Sequence, residues 1–436
     1  MNTEEPRTVA EAIQSGTAQR PAPAPSPVRL GAAGAAVTAA TMLTNGLAYL
    51  VPMLGARQLP AADLGALATV LALGAIAAVP GLGLQIAVAA HRARWGPSGA
   101  SQLAVRTAAF SAGVTLAAAP VLTIVLRLPI ALTLLLVPIT FATVLAGRWL
   151  GDLQGDQRFL RLAAAMSVLA AGRYGGPIIG LALGWGAGGA LLLGALAGLL
   201  VLPLLARLAA PSPAGGDVTG GPVLSVADPV PAAALSPRDT GDRLLTGRQV
   251  RTACAATLAM LVISYVDLLL ARQLLPATGS GGYAVGSVLT KGALWAPQVV
   301  TLLVLPKLAR GDRRARALAL GLILASGAVL VGAAAVAGEL AFRLVGGADY
   351  LHLAGEAPLF AATGALYAVV FMLVNDRVAT GARWPAAPLW VATAGLVGTA
   401  LLVAPRTVEG VLTCALVTAA LTAAVMGWLA LRPSRR

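Results

Sequence analysis

Apolar runs set the first limit on what this chain can become. From Tyr174 to Ala206 it carries no charged side chain, and from Gln58 to His91 the only one is Asp63. A helix that crosses about 30 Å of hydrocarbon needs roughly 20 apolar residues. Punctuating the sequence at its charged and Pro/Gly clusters gives twelve segments of that kind, near 31–54, 64–90, 104–126, 130–147, 162–183, 188–206, 252–271, 282–305, 317–337, 355–375, 385–404 and 408–430. With 58% hydrophobic and 11% charged residues, a chain of 436 residues has more apolar surface than a water-soluble globule can bury. The runs are continuous rather than alternating, so they read as helices. An open sheet in lipid would leave backbone groups unpaired.

An internal repeat divides these segments into two sets. Ala56-Arg57-Gln58-Leu59-Pro60 nearly recurs as Ala271-Arg272-Gln273-Leu274-Leu275-Pro276. In each copy a Gly follows (Gly65, Gly282), then a Pro at the same interval (Pro80, Pro297), then basic residues (Arg92 and Arg94; Lys307 and Arg310). The weight rests on Arg-Gln, the prolines and the Gly-to-Pro interval, because Ala and Leu matches are cheap in so apolar a sequence. Six helices per copy is an even number, so both halves enter the membrane the same way. The expected fold class is therefore an all-α integral membrane protein with twelve transmembrane helices in two parallel six-helix bundles around a central cavity.

Lys and Arg in the connections set the orientation. With the N-terminus inside, 24 of the 31 basic residues fall on the inner side, and only Arg57, Arg127, Arg272, Arg343 and Arg406 fall outside. Both termini are expected in the cytoplasm. The net charge of +14 then reads as a topology signal and an attraction to anionic membrane lipids, and no nucleic-acid partner is needed to explain it. Residues 1–29 lack the short apolar core and cleavage site of a signal peptide and read as a disordered cytoplasmic tail. The expected order continues with an N-terminal bundle over 30–207, a flexible cytoplasmic linker over 208–249 rich in Pro, Gly, Asp and Ser, a C-terminal bundle over 250–431, and a short tail over 432–436. Cys254 and Cys414 both fall within expected helices and read as small buried apolar residues.

Charges inside a bilayer are costly, so each either reaches an interface or faces a polar cavity. Arg173 lies near the middle of the fifth helix, before Tyr174-Gly175-Gly176-Pro177, a run that should loosen the helix and free carbonyls for a cavity. It reads as an anion contact facing the space between halves, or else as an Arg paired with a helix-end carbonyl. Lys291 lies mid-depth in the eighth helix, with Ser287 one turn before and Trp295 one turn after on the same face. It is expected to face Gly74, its repeat counterpart, across an asymmetric cavity, and a structural pair with Asp267 is the alternative. Asp267 itself suits a coupling proton or cation, or a carboxylate reaching the outer interface. Asn45, with Thr44 and Tyr49, is a further cavity candidate on the first helix, although polar residues there also tie helices together. His91 and His352 lie in connections on opposite sides, so no metal cluster is expected. Neither a cofactor motif nor a defensible catalytic set emerges, and the protein is not expected to be an enzyme. The residues within the membrane, Arg173 and Lys291 against Asp267, favour an anionic cargo such as a phosphate or pyrophosphate group.

With these residues in place the chain resembles the polysaccharide and oligosaccharide-lipid flippases of the multidrug/oligosaccharidyl-lipid/polysaccharide exporter superfamily. The resemblance covers roughly residues 31–431. It rests on Leu43-Thr44-Asn45 through Pro60 and Gly65, on Gly151-Asp152-Leu153-Gln154-Gly155-Asp156-Gln157-Arg158-Phe159, and on Tyr265-Val266-Asp267 through Ala271-Arg272, Tyr283, Lys291, Pro297, Pro306 and Lys307. It implies movement of a lipid-linked oligosaccharide, of undecaprenyl-pyrophosphate type, across a bacterial plasma membrane for cell-envelope polysaccharide. A polysaccharide polymerase or glycosyltransferases are the further partners it suggests. The rival readings are a cation-coupled multidrug exporter and a non-transporting scaffold for envelope polymer assembly.

Overall fold

The structure is a computed structural model that describes residues 27–95, 101–210, 247–296, 313–379, 382 and 384–431. Each expected segment falls on a helix over its described residues. The N-terminal half holds α1 (Gly34–Gln58), α2 (Ala61–Ala93), α3 (Ser101–Val125), α4 (Ile130–Gly155), α5 (Phe159–Ala182) and α6 (Gly186–Ala209). The C-terminal half holds α7 (Cys254–Leu274), α8 (Ala277–Trp295), α9 (Ala317–Val336), α10 (Ala348–Val378), α11 (Ala387–Leu402) and α12 (Val408–Ala430). Among the described residues there is no strand. The fold is an all-α, multi-pass membrane architecture of two bundles. The tails at 1–26 and 432–436, most of the linker at 211–246, and Pro297, Pro306, Lys307 and Arg310 lie outside the described residues.

Proline sets several helix starts. Pro60, Pro129 and Pro276 immediately precede α2, α4 and α8, with φ of −56°, −57° and −61°. The ring fixes φ near the helical value and lacks the N–H that a helix start leaves unpaired. Pro60 and Pro276 are also repeat-related, so the first turn of each half is built by the same device.

The helices pack in the same order in both halves. The contacts of α1 with α5, α2 with α4, α3 with α4, α4 with α6 and α5 with α6 recur as α7 with α11, α8 with α10, α9 with α10, α10 with α12 and α11 with α12. Small residues bring the most intimate pairs together, since lipid offers no hydrophobic drive between helices. Along α4, Gly147, Gly151 and Gly155 recur every fourth residue and face α2. A Cβ on Gly151 would lie 2.6 Å from the Gln85 carbonyl oxygen, and one on Gly155 would lie 2.8 Å from that of Ala89. In the other half, Gly364 of α10 plays this part, where a Cβ would lie 2.9 Å from Ala293 Cβ of α8.

The halves meet through the first two helices of each repeat, with α1 and α2 against α7 and α8. One apolar cluster crosses the junction, joining Ala56, Leu64, Ala68 and Ala72 to Val266, Ala271, Tyr283 and Ala284.

The connection between the ninth and tenth expected segments is the helix Gly338–Val345 followed by a 3-10 helix, Ala348–Glu356. Phe342, Val345, Tyr350 and Leu353 are buried against the C-terminal core, and this side-on burial is what holds the segment in helical form.

Candidate functional site

Between the halves lies a cavity of about 410 Å³. It is lined by α1, α2, α4 and α5 from one half and by α7 and α8 from the other. Asn45, Arg173, Lys291 and Trp295, all singled out from sequence, line this one space, and so do Thr44, Tyr49 and Ser287. Among the described residues, the lining includes two charged side chains, Arg173 and Lys291, one from each half, and no acidic one.

Arg173 owes its position to a defect in α5. Residues Ala171–Gly175 form a π-helical turn between two α-helical stretches. Such a turn inserts one residue into the ladder and is often found at functional positions. The surrounding glycines let the distorted turn sit against α6, since a Cβ on Gly172 would lie 2.8 Å from Val201 Cγ1. Arg173 extends toward Tyr174, with Cζ 5.4 Å from the ring centroid, close enough for a cation–π contact.

Lys291 is held by α7. Its Nζ donates to the Ser264 carbonyl oxygen and lies 3.5 Å from the centroid of the Tyr265 ring. One turn further along α7, the Leu268 N–H donates to Asp267 Oδ1 at 2.8 Å. An α-helix pairs the carbonyl of residue 264 with the N–H of residue 268. Here each of those two groups also serves a side chain, so the polar pair Lys291 and Asp267 is written into the α7 backbone.

Asp267 is 2% exposed and does not line the cavity. Its second oxygen, Oδ2, accepts a hydrogen bond from the Tyr283 hydroxyl at 3.0 Å. It therefore lies inside the C-terminal half and does not reach the protein surface. Nor does it pair directly with Lys291, whose partners are a carbonyl and a ring. Gly74 also departs from expectation. It lines a separate small pocket of about 30 Å³ within the N-terminal half, and a Cβ there would meet Leu136 at 3.5 Å. α2 turns it toward Leu136 of α4, and it is not among the residues that line the cavity with Lys291.

The sequence named Tyr265 only within the segment that carries the family resemblance, and Tyr174 only for the backbone after Arg173. Together with Tyr49 these rings line the same cavity as the two basic side chains. The Tyr49 hydroxyl is shielded and has no hydrogen-bond partner among the described residues. Their signal in the sequence was adjacency, since Tyr174 follows Arg173 and Tyr265 lies two residues before Asp267. Among the described residues no cluster of His, Cys, Asp and Glu could hold a metal.

At the end of the cavity that bears Arg57 and Arg272, the halves are in tight contact. A Cβ on Gly65 would lie 2.5 Å from Ser280 Oγ, and one on Gly281 would lie 2.7 Å from Ala61 Cα. Only glycine at these positions lets α2 and α8 approach so closely.

No protein-family model matches the chain, and no curated protein matches it. Solved structures do share its fold. One is described as the inward-facing conformation of a multidrug resistance MATE family transporter of the MOP superfamily. It is 16% identical, with 89% of this chain and 93% of that chain covered and a TM-score of 0.61. A eukaryotic MATE transporter, AtDTX14, matches at 14% identity over 92% of this chain and 94% of that one, with a TM-score of 0.55. A third is a MOP superfamily transporter from Pyrococcus furiosus, reported to have a binding pocket of reverse polarity that suggests a different function. It matches at 14% identity over 91% and 95%, with a TM-score of 0.50. At these identities the likeness is one of fold alone.

Proposed function

We propose that this chain is an alternating-access exporter of amphipathic, anionic molecules across a bacterial plasma membrane. The observation that carries the reading is the pairing of Arg173 and Lys291, one from each half, in a cavity lined by no acidic side chain among the described residues. Apolar residues such as Leu71, Leu169 and Val288 share that lining, so the cavity offers a basic region and an apolar wall to one guest. A cargo that touches both bases bridges the halves, which is what a rocking transporter needs to couple binding to motion. The shared fold with multidrug MATE transporters favours a multidrug-type exporter over a scaffold. The Pyrococcus transporter is a reminder that pocket polarity, and with it cargo, varies on this fold.

The positive-inside bias assigns both termini and the Arg92 end to the cytoplasm, and the Arg57 and Arg272 end to the exterior. On that assignment the conformation is the one closed to the outside. Asp267, shielded within the C-terminal half and joined to α8 through Tyr283, is the proposed site of a coupling proton or cation.

A second reading is flipping of a lipid-linked oligosaccharide of undecaprenyl-pyrophosphate type. The same two bases favour it, because a pyrophosphate headgroup needs more than one cation. In that case the polar head occupies the cavity while the prenyl chain trails into lipid, and an envelope polymerase or glycosyltransferase is the expected partner.

Liposomes holding the purified protein separate these readings. Export of anionic fluorescent amphipaths in preference to cationic ones, lost on Arg173→Gln and Lys291→Gln with normal folding, supports the first. Movement of a fluorescent lipid-pyrophosphate oligosaccharide alone supports the second. Preference for cationic drugs, unaffected by the two substitutions, sinks the anionic assignment.

A further inference from the structure

Arg57 and Arg272 hold the same place in the two repeats, and each reaches across to the other half. Arg57 Nη2 donates to the Leu344 carbonyl oxygen at 2.8 Å. Arg272 donates through Nη1 to Ala62 at 3.0 Å, through Nη2 to Arg127 at 3.0 Å and through Nε to Leu126 at 3.2 Å, all carbonyl oxygens. The acceptors correspond as well. Arg127 and Leu344 are separated by the same interval that separates Gly65 from Gly282 and Pro80 from Pro297.

The corresponding acceptors, Arg127 with Leu126 in one half and Leu344 in the other, sit at helix C-termini, whereas Ala62 lies in the first turn of α2. α3 ends at Val125, and the short helix Gly338–Val345 ends just beyond Leu344. The last carbonyls of a helix lack intrahelical partners and carry the negative end of its dipole. At the end of α3, Arg127 adopts φ of 50°, and the Leu128 N–H closes the turn onto the Thr123 carbonyl at 3.1 Å. The carbonyls of residues 126 and 127 are left to the guanidinium of Arg272, whose planar fork can serve several acceptors at once. Gly65 keeps the space clear, since a Cβ there would lie 3.3 Å from Arg272 Nη1.

We infer that Arg57 and Arg272 form a reciprocal latch that caps helix ends of opposite halves and holds this end of the cavity shut. Opening this end requires both guanidinium groups to leave their carbonyls. The arms are unequal. Arg57 is exposed and makes one bond, whereas Arg272 is half-buried and makes three, so Arg272 dominates. The place of the latch in a transport cycle rests on the alternating-access reading above, but the closure itself does not.

The test uses the full chain in liposomes with Cys254→Ser and Cys414→Ser, and a single reporter, Ala68→Cys, in the cavity wall. A bulky membrane-impermeant maleimide is added from each face in turn. With both arginines present, labelling from the Arg57 and Arg272 face is slow. Arg272→Gln should raise that rate on the order of tenfold, as loss of charge-assisted hydrogen bonds allows, and Arg57→Gln by a smaller factor. If Arg272→Gln does not fold, Arg272→Lys, which keeps the charge but not the fork, should label at an intermediate rate. An unchanged rate in a folded Arg57→Gln, Arg272→Gln double variant overturns the latch and leaves helix packing as what closes this end. Faster labelling without transport of any cargo leaves the latch standing and removes the exporter reading.

Discussion

The Tyr283 hydroxyl lies 3.0 Å from Asp267 Oδ2 and ties α8 to α7 at a carboxylate almost sealed from solvent. The Tyr283 ring is held independently by an edge-on contact with Phe360, at 5.3 Å between centroids. Tyr283→Phe therefore removes the donor and little else. A hydrogen bond to a charged group is worth about 1.5–3 kcal/mol net, and a shielded oxygen stripped of its donor feels that loss in full. Thermal unfolding in detergent should show a clear drop in Tm for Tyr283→Phe and a milder one for Asp267→Asn, which keeps an acceptor. Equal Tm for wild type and Tyr283→Phe would show that the bond contributes nothing.

Gly151 leaves no room for a side chain between α4 and α2, with a notional Cβ 2.6 Å from the Gln85 carbonyl oxygen and 2.9 Å from Val88 Cβ. Gly151→Leu should destabilise by at least the ~1–3 kcal/mol typical of overpacking, because the obstacle includes backbone. Gly395, on α11, has no atom within 4 Å of its notional Cβ. Gly395→Leu should then stay within about 0.5 kcal/mol of wild type. Paired expression and Tm measurements check this, and equal losses at both sites would refute the helix-contact argument.

Arg92 on α2 grips two carboxylates of α4. Its Nε and Nη2 donate to the two oxygens of Asp156 at 2.6 and 2.8 Å, and Nη1 donates to Asp152 Oδ1 at 2.9 Å. Arg148 approaches Asp152 only to 3.9 Å. Asp152 is the more shielded carboxylate, at 10% side-chain exposure against 28% for Asp156. Arg92→Gln should cost about 3 kcal/mol, the low end for breaking a buried pair, because it leaves shielded carboxylates with little compensation. Asp156→Asn should cost less. Chemical unfolding of the two variants checks the order, and a larger loss for Asp156→Asn would contradict it.

This cluster also shows what the sequence motif meant. Asp152, Gln154 and Asp156 belong to the segment that most suggested a flippase. In the structure Gln154 accepts from Gln85 at 2.9 Å, and the two acids hold Arg92, so the motif fastens α4 to α2. It marks how a bundle is assembled and touches the cargo question only indirectly. Such roles are hidden from sequence because the partners lie sixty or more residues apart.

The twelve helical segments, the two matching halves and the presence of Arg173 and Lys291 within apolar segments were determined by the sequence alone. Helix length against bilayer thickness and the cost of buried charge act locally, along the chain. The tertiary structure decided which way each residue faces. It brought Arg173, Lys291, Tyr49 and Tyr265 to one cavity, turned Gly74 away from it, withdrew Asp267 behind Tyr283, and joined Arg57 and Arg272 to helix ends of the opposite half. The physical reason is that a helix hydrophobic on every side carries no periodic signal for its rotation. That rotation is set by close contacts such as Gly81 against Gly147 and Gly65 against Ser280, which exist only once the helices have met.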